Sequence, residues 1–583
     1  MKTATKTYRQ IIATVALLLF WGTSHAQSGN TATGSSALSA NTTGSNNTAD
    51  GAFSLQSNTT GFDNTAEGLS SLFSNTTGAY NTADGFEALQ SNTTAAYNTA
   101  AGYAALYLNT TGSQNTAEGA FVLYSNTSAS QNTGVGFASL FGNTTGAQNS
   151  ALGYEALENN STGNLNEASG FASLVSNTTG SDNTADGGYA LYSNTTGGSN
   201  TAVGYSALFS AVTGGDNTAV GSQALLSNTG GSQNTAVGSN ALQNNQSAGN
   251  TAIGSNSLSS NINGSNNTAV GLSSLYSNLE GVGNTAIGWG TLSANVNGND
   301  NTASGFTALA ANTSGTANTA TGVYSVMSNT TGEENTGDGV ASLANSTTGS
   351  FNTASGAYSL VDDSTGGSNT ASGYSALQRN TTGGNNIAVG YLAGSNLTTG
   401  SNNIDIFDVG VGGEANTIRI GTEGTQTRTF LAGVWGSTTL DSGSSMAVVV
   451  DDEGNLGTVA SSQRFKKDIQ DMGSASEAIL YLRPVTFHYK QDPKDTPQYG
   501  LVAEEVSKVS PSLVVHDKQG QIYSVRYDAV NAMLLNEFRK EHEHVKEQDR
   551  TIAEQQAEIA ALVAGQKEVL AKLLALQRSV ASK

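Results

Sequence analysis

The sequence contains no cysteine and only four prolines among its 583 residues. Without cysteine, the chain can form neither a disulfide framework nor a thiolate metal site, and it cannot carry a lipid on an N-terminal cysteine. Lysine is absent between Gln27 and Ala460, where arginine occurs only at Arg379, Arg419 and Arg428. The 27 acidic residues and three arginines of that stretch leave it with a net charge of −24. A surface this acidic argues against nucleic acid and anionic membranes as partners.

The first 26 residues differ from the rest of the chain. They begin with basic residues, continue with an apolar run from Ile11 to Trp21, and end in the small residues Ser24 and Ala26. This order predicts a secretory signal peptide that is cleaved after Ala26. The apolar run is about half the length that a bilayer-spanning helix needs. We therefore expect a mature chain that is secreted or lies at the cell surface and has no membrane-spanning segment.

An internal repeat of 17 residues dominates the sequence. Its motif, N-T-A-x-G with occasional single substitutions, occurs twenty-two times between Asn30 and Asn386, with one shorter step of 16 residues. The fifth position is glycine in every copy. The ninth position is leucine in all copies but two, which have Val326 and Gly394. Such strict phasing argues against the disorder that so much Gly, Ser, Thr and Asn would otherwise indicate.

The repeat predicts a parallel β-solenoid. The segments N-T-A-x-G and x-x-A-L are too short for helices and are bounded by Asn, Ser, Thr and Gly, which indicates short strands joined by turns. The recurring glycine predicts a bend with positive φ or a close approach between backbones. The leucine and alanine positions would stack into a thin apolar core, and stability would come from neighbouring units. With coils ~4.8 Å apart, the array would be a rod on the order of 100 Å long.

Two features of the repeat resemble binding sites. The fourth position is acidic in early copies, as at Asp50 and Glu67, and apolar in later ones, as at Val203 and Ile287. A row of carboxylates could bind cations or serve a glycosidase, but we interpret it as a solvated face and expect no metal or cofactor. The many N-x-[ST] triplets match the glycosylation pattern, but the repeat generates them and their role as turn formers accounts for them.

The pattern N-T-A-[VI]-G-x-x-A-L, as in residues 200–208 and 250–258, resembles the heads of trimeric autotransporter adhesins. That resemblance implies left-handed parallel β-rolls in which three chains pack side by side. The C-terminal part of this chain departs from the pattern of those adhesins. Residues 396–460 alternate apolar residues with glycine-rich turns, which predicts a β-rich cap or stalk that ends in a hairpin at 445–461.

From Ser461 onward the composition becomes that of an ordinary globular domain, with 17 basic and 17 acidic residues. Its segments predict a helix and a strand, then a short helix and a strand, and finally a strand that leads into a long helix. Apolar residues recur at heptad spacing in that helix, with Gln548, Gln555 and Gln566 as polar layers, which predicts a coiled coil at about 530–580. A single amphipathic helix packed on its own domain is the alternative. The apolar heptad residues are Phe538, Val545, Ile552, Ile559, Leu573 and Val580 at one core position and Leu562, Val569 and Leu576 at the other.

Four segments occur in a recognisable order: "SSQRFKKDI" (461–469), "LRPVTFHYK", "YGLVAEEV" and "VRYDAVNAMLLNEFRK". Together they resemble the endosialidase-type intramolecular chaperone, which is found at the C-terminus of phage tail spikes, tail fibres and exported bacterial fibres. That resemblance implies a domain that trimerises, assists assembly of the β-structured stalk before it, and then cuts itself off. The family's motif, a serine followed five residues later by a lysine, falls on Ser461 and Lys466 and implies scission between Ala460 and Ser461. Ser462 stands where the family often has Asp and is a second candidate nucleophile, although the spacing favours Ser461.

The chemistry of such a cut is consistent with these residue types. A serine hydroxyl is a poor nucleophile until a base removes its proton, and a lysine can be that base if desolvation lowers its pKa. Attack by Ser461 on the carbonyl carbon of Ala460 would give an ester that water hydrolyses. Side chains five residues apart share no face of a helix or strand, so a turn or a neighbouring subunit must bring Ser461 and Lys466 together. Alternatively, Lys466 and Lys467 are only solvated charges at a domain boundary.

These observations predict a mostly β protein with a signal peptide (1–26), a β-solenoid (27–395), a β-rich cap or stalk (396–460) and a self-cleaving chaperone domain (461–583). We expect an exported homotrimeric fibre, adhesin-like in role, whose only enzymatic act is one cut in its own chain. A cell-surface or glycan receptor is a further candidate partner. The alternative is an adhesin that retains the C-terminal domain as a stalk. A glycan-degrading fibre would need a carboxylate pair in a groove, and an ice-binding solenoid would need T-x-T ranks, whereas the repeat has N-T-A.

Overall fold

A computed structural model describes residues 29–432, 434, 443–451 and 453–582. The predicted signal peptide, residues 1–26, lies outside the described residues. The chain divides into two compact units, with the boundary between Thr429 and Phe430. The first unit is a parallel β-solenoid built from the repeats, and the second is a small α+β region. The fold class predicted from the sequence is thereby confirmed.

Each coil of the solenoid contributes one three-residue strand to a single parallel sheet of 24 strands. Equivalent repeat positions face each other, so that Thr31 pairs with Thr48 and Ala32 with Ala49. The sheet continues for two strands beyond the last copy of the motif. The strands are β1 (Thr31–Thr33), β2 (Thr48–Asp50), β3 (Thr65–Glu67), β4 (Thr82–Asp84), β5 (Thr99–Ala101), β6 (Thr116–Glu118), β7 (Thr133–Val135), β8 (Ser150–Leu152), β9 (Glu167–Ser169), β10 (Thr184–Asp186), β11 (Thr201–Val203), β12 (Thr218–Val220), β13 (Thr235–Val237), β14 (Thr251–Ile253), β15 (Thr268–Val270), β16 (Thr285–Ile287), β17 (Thr302–Ser304), β18 (Thr319–Thr321), β19 (Thr336–Asp338), β20 (Thr353–Ser355), β21 (Thr370–Ser372), β22 (Ile387–Val389), β23 (Ile404–Ile406) and β24 (Ile418–Ile420).

The alternation of side chains along each strand explains the N-T-A-x pattern. Successive strand residues point to opposite faces, so the central alanine, such as Ala83, is buried while Thr82 and Asp84 are exposed. A slip of one residue would move threonine into the core. The 17-residue period therefore fixes the register of every coil.

The x-x-A-L segment is not a strand, so the prediction of a second strand in each repeat is wrong. Its seventh and ninth residues adopt the left-handed backbone conformation, as at Glu87 (φ 55) and Leu89 (φ 52). Left-handed residues interrupt an extended chain, and for leucine they are costly. The side chain of Leu89 is 0% exposed. Burial of the leucine column offsets that backbone cost because each side chain contributes about 1.5–3 kcal/mol.

The fifth position requires glycine for both of the reasons expected from the sequence. Gly153 has φ +145, where L-residues are strained. A Cβ atom built on Gly153 would lie 2.3 Å from the carbonyl oxygen of Gly170, the equivalent glycine one coil later. Neighbouring coils thus approach too closely for any side chain at this position.

Two substitutions in the apolar core are matched by a complementary change in a neighbouring coil. Gly134 replaces the usual alanine, and a Cβ atom there would lie 2.5 Å from Cγ1 of Val122, which replaces an alanine one coil earlier. Gly337 likewise faces Val326, one of the two residues that replace the column leucine, at 2.6 Å from Cγ2. Interiors packed to this density have no room for an uncompensated methyl group.

Two columns of buried asparagine, at the first and twelfth positions, run through the solenoid. The amide nitrogen of Asn64 donates to Oδ1 of Asn47 (3.0 Å) and to the carbonyl oxygen of Gly78 (2.9 Å). In the other column, Asn75 donates to Oδ1 of Asn58 (2.8 Å) and to the same carbonyl oxygen (3.0 Å). These ladders satisfy most of the buried polar groups of the two columns, and a few side-chain oxygens of the second column have no hydrogen-bond partner among the described residues. Asn75 begins an N-x-T triplet, but these hydrogen bonds hold its side-chain amide in the interior.

Two carboxylates replace regular interior residues near the C-terminal end of the solenoid. Asp405 occupies the alanine position of β23 and is 1% exposed. Gly394, where the column has leucine elsewhere, leaves room for it, because a Cβ atom there would lie 3.2 Å from Oδ2 of Asp405. Asp363 replaces an asparagine of the second column and accepts a hydrogen bond from Asn380 at 2.9 Å. Burial raises the pKa of each carboxyl group to about 7.

The described residues of the second unit form three antiparallel strand pairs, two α-helices and three 3-10 helices. The predicted hairpin is present as β25 paired with β26. The elements are β25 (Val449–Val450), β26 (Leu456–Gly457), 3-10 helices at Gln463–Phe465, Gly473–Tyr481 and Pro511–Leu513, β27 (Val485–Phe487), β28 (Gln498–Gly500), α1 (Ala503–Val509), β29 (Val514–His516), β30 (Ile522–Val525) and α2 (Tyr527–Val580).

Helix α2 is 54 residues long, and its two ends have different surroundings. Near its start, Val530 and Met533 are buried in the small core of the unit with Ile479 and Val506. Farther along, the predicted heptad residues are exposed, with Ile552 at 48%. The predicted long helix is therefore present, while its assembly into a coiled coil remains a prediction.

Candidate active site

Ser461 and Lys466 flank a single turn of 3-10 helix. Ser462 has an extended backbone (φ −64, ψ 143), and Lys466 returns to an extended conformation (φ −118, ψ 144). Between them, the amide of Phe465 donates to the carbonyl oxygen of Ser462, and that of Lys466 to Gln463, both at 3.0 Å. The chain therefore enters extended, turns once and leaves extended.

This turn brings the two predicted site residues into contact. The side-chain nitrogen of Lys466 lies 3.1 Å from the hydroxyl oxygen of Ser461, within hydrogen-bond distance. The contact forms within one chain, which is the first of the two arrangements that the spacing left open. Ser462 makes no side-chain capping bond to the turn. The lysine contact thus falls on the serine that the motif spacing favours.

The surroundings of the pair are open to solvent. Ala460, Ser461 and Lys466 are all exposed. Arg464 lies over the ring of Phe465, with its guanidinium carbon 4.6 Å from the ring centroid, which is a cation–π geometry. The single chain therefore supplies the distance that proton transfer needs and leaves both side chains in contact with solvent.

A separate cluster of serine, carboxylate and lysine lies where the 3-10 helix Gly473–Tyr481 packs on α2. Ser476 is fully buried, and its hydroxyl donates to the carboxylate of Glu537. Asn536 donates to the hydroxyl oxygen of Ser476 at 2.7 Å, and Lys540 to Glu537 at 2.7 Å. The hydrogen bonds from Lys540 and Ser476 lower the pKa of Glu537. This cluster was not predicted from the sequence, where its only local signal is the i,i+3 spacing of Glu537 and Lys540. Its contacts fasten the helix rather than activate the serine.

The carboxylates at the fourth repeat position point outward from successive strands, as Glu67 and Asp84 do. Among the described residues, no group of three or more His, Cys, Asp or Glu side chains is arranged to hold a metal ion. Within the same ranges, no helix combines the length and apolarity needed to cross a bilayer.

Comparison with known proteins identifies the segment that carries the serine–lysine pair. Residues 461–515 match the family described as chaperone of endosialidase. The matched chaperone segment begins at Ser461, includes Lys466, and extends through α1 to β29. No match was found among curated proteins or among solved structures. A chaperone of this family behind a β-solenoid fits a structural protein of the tail-fibre type.

Proposed function

We propose that this protein is an exported, homotrimeric β-fibre with a surface or adhesin-like role. Its C-terminal domain promotes assembly and then releases itself by cutting the bond between Ala460 and Ser461. The contact of 3.1 Å between Lys466 and Ser461 carries this proposal. It joins the two residues of the motif, and Ser461 is the first residue of the matched chaperone segment.

The proposed cut proceeds in two steps. Neutral Lys466 takes the proton of the Ser461 hydroxyl as its oxygen attacks the carbonyl carbon of Ala460. The carbon–nitrogen bond breaks, the nitrogen of Ser461 receives the proton from Lys466, and an ester links Ala460 to the serine oxygen. Water then adds to the ester, which releases the carboxylate of Ala460 and restores the hydroxyl. The cut consumes one water molecule and needs no oxidant.

Assembly enters this mechanism through the environment of the lysine. Lysine acts as a general base near neutral pH only where burial disfavours its charged form, and Lys466 is exposed on the single chain. Two apolar side chains of the same segment, Phe465 and Ile469, are each 62% exposed. Coverage of this segment by a neighbouring subunit would exclude water from the pair and make cleavage follow assembly.

The trimer is supported by the exposed apolar stripe of α2. Its heptad residues Ile552, Ile559 and Leu562 lie outside the core of the unit. A long helix with one apolar stripe is stabilised by packing that stripe against equivalent helices. The polar residues Gln548 and Gln555 fall in the same seam and would fix the register. Trimer assembly is also what the matched family implies.

One experiment tests the proposal as a whole. The full chain, with its leader, is expressed in a secreting host, and the exported material is examined by intact mass and sedimentation equilibrium. We expect one polypeptide from Gln27 to Ala460, a second that begins at Ser461, and a trimeric rod. A single polypeptide that runs from Gln27 through the whole C-terminal domain would contradict the cut and favour the adhesin with a retained stalk. A monomeric rod would contradict the assembly.

A further inference from the structure

A continuous row of aromatic rings runs along the solenoid. Eight successive coils each contribute one ring, from the sixth or seventh repeat position, beginning with Phe86 and Tyr103 and ending with Tyr189 and Tyr205. Neighbouring ring centroids are 5.0 to 6.0 Å apart throughout. We call these eight rings the aromatic row. The periodicity of the repeat does not require it, because the sixth position is serine in each of the next three coils, beginning with Ser222.

The aromatic row is a large apolar surface. Tyr154 is 45% exposed and Tyr205 is 57% exposed. Further rings at the tenth position, such as Tyr192 and Phe209 at 5.0 Å, widen the surface. An aromatic side chain buries about 150–250 Å² when covered. Five of the eight rings are 40–57% exposed and the other three less, so the row leaves on the order of 600 Å² uncovered. Soluble monomers rarely expose a patch of this size, and about 800 Å² per partner is the size of a stable interface.

The orientation of the rings limits what can bind there. Phe86 and Tyr103 stack with an interplanar angle of 4°, and Tyr154 and Phe171 with an angle of 5°. In these stacks, each ring covers the face of the next and turns its edge outward, whereas four other neighbouring pairs of the row, such as Phe171 and Tyr189, meet edge to face. Nucleic-acid bases stack on ring faces, as sugars do, so such stacks are a poor platform for either. Outward edges instead suit edge-to-face packing against further aromatic rings.

The spacing of the row selects a second copy of this chain as its occupant. One ring recurs per coil, so the row repeats every ~4.8 Å over about 35 Å. A parallel rod of the same sequence presents rings at the same interval, and all eight can pack at once. Three acidic residues adjoin the row: Glu155, which hydrogen-bonds Tyr154, and Glu87 and Glu158. Burial raises the pKa of Glu87 and Glu158, which weakens the repulsion between copies at those two positions.

We infer that the aromatic row lies on the axis of the fibre, where it packs against the rows of the other copies. This inference rests on the proposed trimer and names the face through which the rods associate. In a cyclic trimer, a surface near the axis meets its own equivalents. Equivalent side chains of the row should therefore approach one another between chains, whereas those on other faces of the coil should not.

Because the chain has no cysteine, single cysteine variants of the full-length protein can test this directly. Tyr154→Cys places a thiol in the row, and Leu165→Cys is its control. Leu165 lies in the same coil, at the seventeenth repeat position, and is 52% exposed. The rings at that position form a separate stack, as Tyr80 and Tyr97 do at 4.8 Å. Phe137→Cys and Gln148→Cys repeat the comparison one coil earlier, in case the first pair folds poorly.

The variants are first shown to be trimers by sedimentation equilibrium, then oxidised mildly, and in parallel exposed to a maleimide. We expect Tyr154→Cys and Phe137→Cys to form disulfide-linked pairs of chains and to react with maleimide at least tenfold more slowly than the controls. Equal reactivity of row and control cysteines in a trimer would overturn the inference while leaving the proposed trimer intact. Cross-linking at the control positions alone would do the same. A monomeric protein would overturn both.

Discussion

The side-chain nitrogen of Lys466 lies 3.1 Å from the hydroxyl oxygen of Ser461, and both residues belong to the same chain. A single 3-10 turn is enough to place them there, so no second subunit is needed for their approach. If assembly controls the proposed cut, it must act on the environment of the pair rather than on its distance. Chemistry and assembly can therefore be tested with separate variants.

Removal of either member of the pair should abolish cleavage. Ser461→Ala eliminates the nucleophile and Lys466→Ala the base, so both proteins should remain full length by intact mass. Both residues are exposed, and surface substitutions usually change stability by less than about 0.5 kcal/mol. The variants should therefore still assemble, as measured by sedimentation.

The adjacent serine provides a matched control for the same prediction. Ser462→Ala removes an equally exposed hydroxyl from the next residue and should slow the cut at most. N-terminal sequencing of the released fragment should begin at Ser461. Scission at another bond, or loss of cleavage only in Ser462→Ala, would show that Ser461 is not the nucleophile.

Disruption of the apolar stripe of α2 should prevent both assembly and cleavage. Ile552→Asp together with Ile559→Asp places carboxylates in an apolar seam without partners, which is strongly unfavourable. The isolated fragment 461–583 should be a trimer, and the same fragment with both substitutions a monomer by sedimentation equilibrium. In the full chain, the double variant should stay uncut although Ser461 and Lys466 are intact. Efficient cleavage of a monomer would show that the single chain already provides the environment that the lysine needs.

The sequence was sufficient to predict the structural features that depend on the period of the repeat. A 17-residue period with glycine at the fifth position and leucine at the ninth predicted parallel coils, a leucine column and the close approach at Gly153, and all are present. It was insufficient where a residue's role depends on the next coil. Asparagine is a common turn former, so the ladder from Asn47 to Asn64 could not be distinguished from local turns. Left-handed leucine, as at Leu89, contradicts local propensity and is stabilised only by burial between coils.

The site was predictable to a similar extent. The spacing of Ser461 and Lys466 and the resemblance of the surrounding segments indicated the pair, but not the 3-10 turn that joins them. Residues Gln463–Phe465 carry no strong turn signal, because neither glycine nor proline occurs among them. The cluster around Ser476 joins residues 61 positions apart, and separations of that length leave no trace in a single sequence.

Deletion of one whole repeat should be tolerated, whereas deletion of half a repeat should not. Without residues 81–97, Asn98 follows the coil of Asn64 at the same position, and every later residue keeps its column. Removal of residues 81–88 instead moves Leu89 out of the leucine column and interrupts both asparagine ladders. Circular dichroism and resistance to protease should be retained in the first variant and reduced in the second. Equal effects of the two deletions would contradict a register that is fixed by the repeat.

The buried carboxyl group of Asp363 should make the C-terminal end of the solenoid less stable as the pH rises. Burial raises its pKa from 3.8 to about 7, so folding favours the protonated form. The stabilisation is complete below about pH 3.8 and is lost progressively as the pH rises to about 7. Between pH 5 and pH 8 the loss is on the order of 3 kcal/mol for this group. Asp405, whose pKa burial also raises to about 7, should act in the same direction.

Replacement of Asp363 by asparagine should restore the ladder and flatten this dependence. The new amide would accept from Asn380 as the carboxylate does, and it could donate to a carbonyl three residues later, as Asn75 does at 3.0 Å. Asp363→Asn should therefore raise the thermal midpoint at pH 8 more than at pH 5, measured by circular dichroism. Asp362→Asn makes the same chemical change at the exposed neighbouring position and should leave the profile unchanged. If both variants shift the midpoint alike at the two pH values, the dependence arises from surface charge and not from the buried carboxyl group.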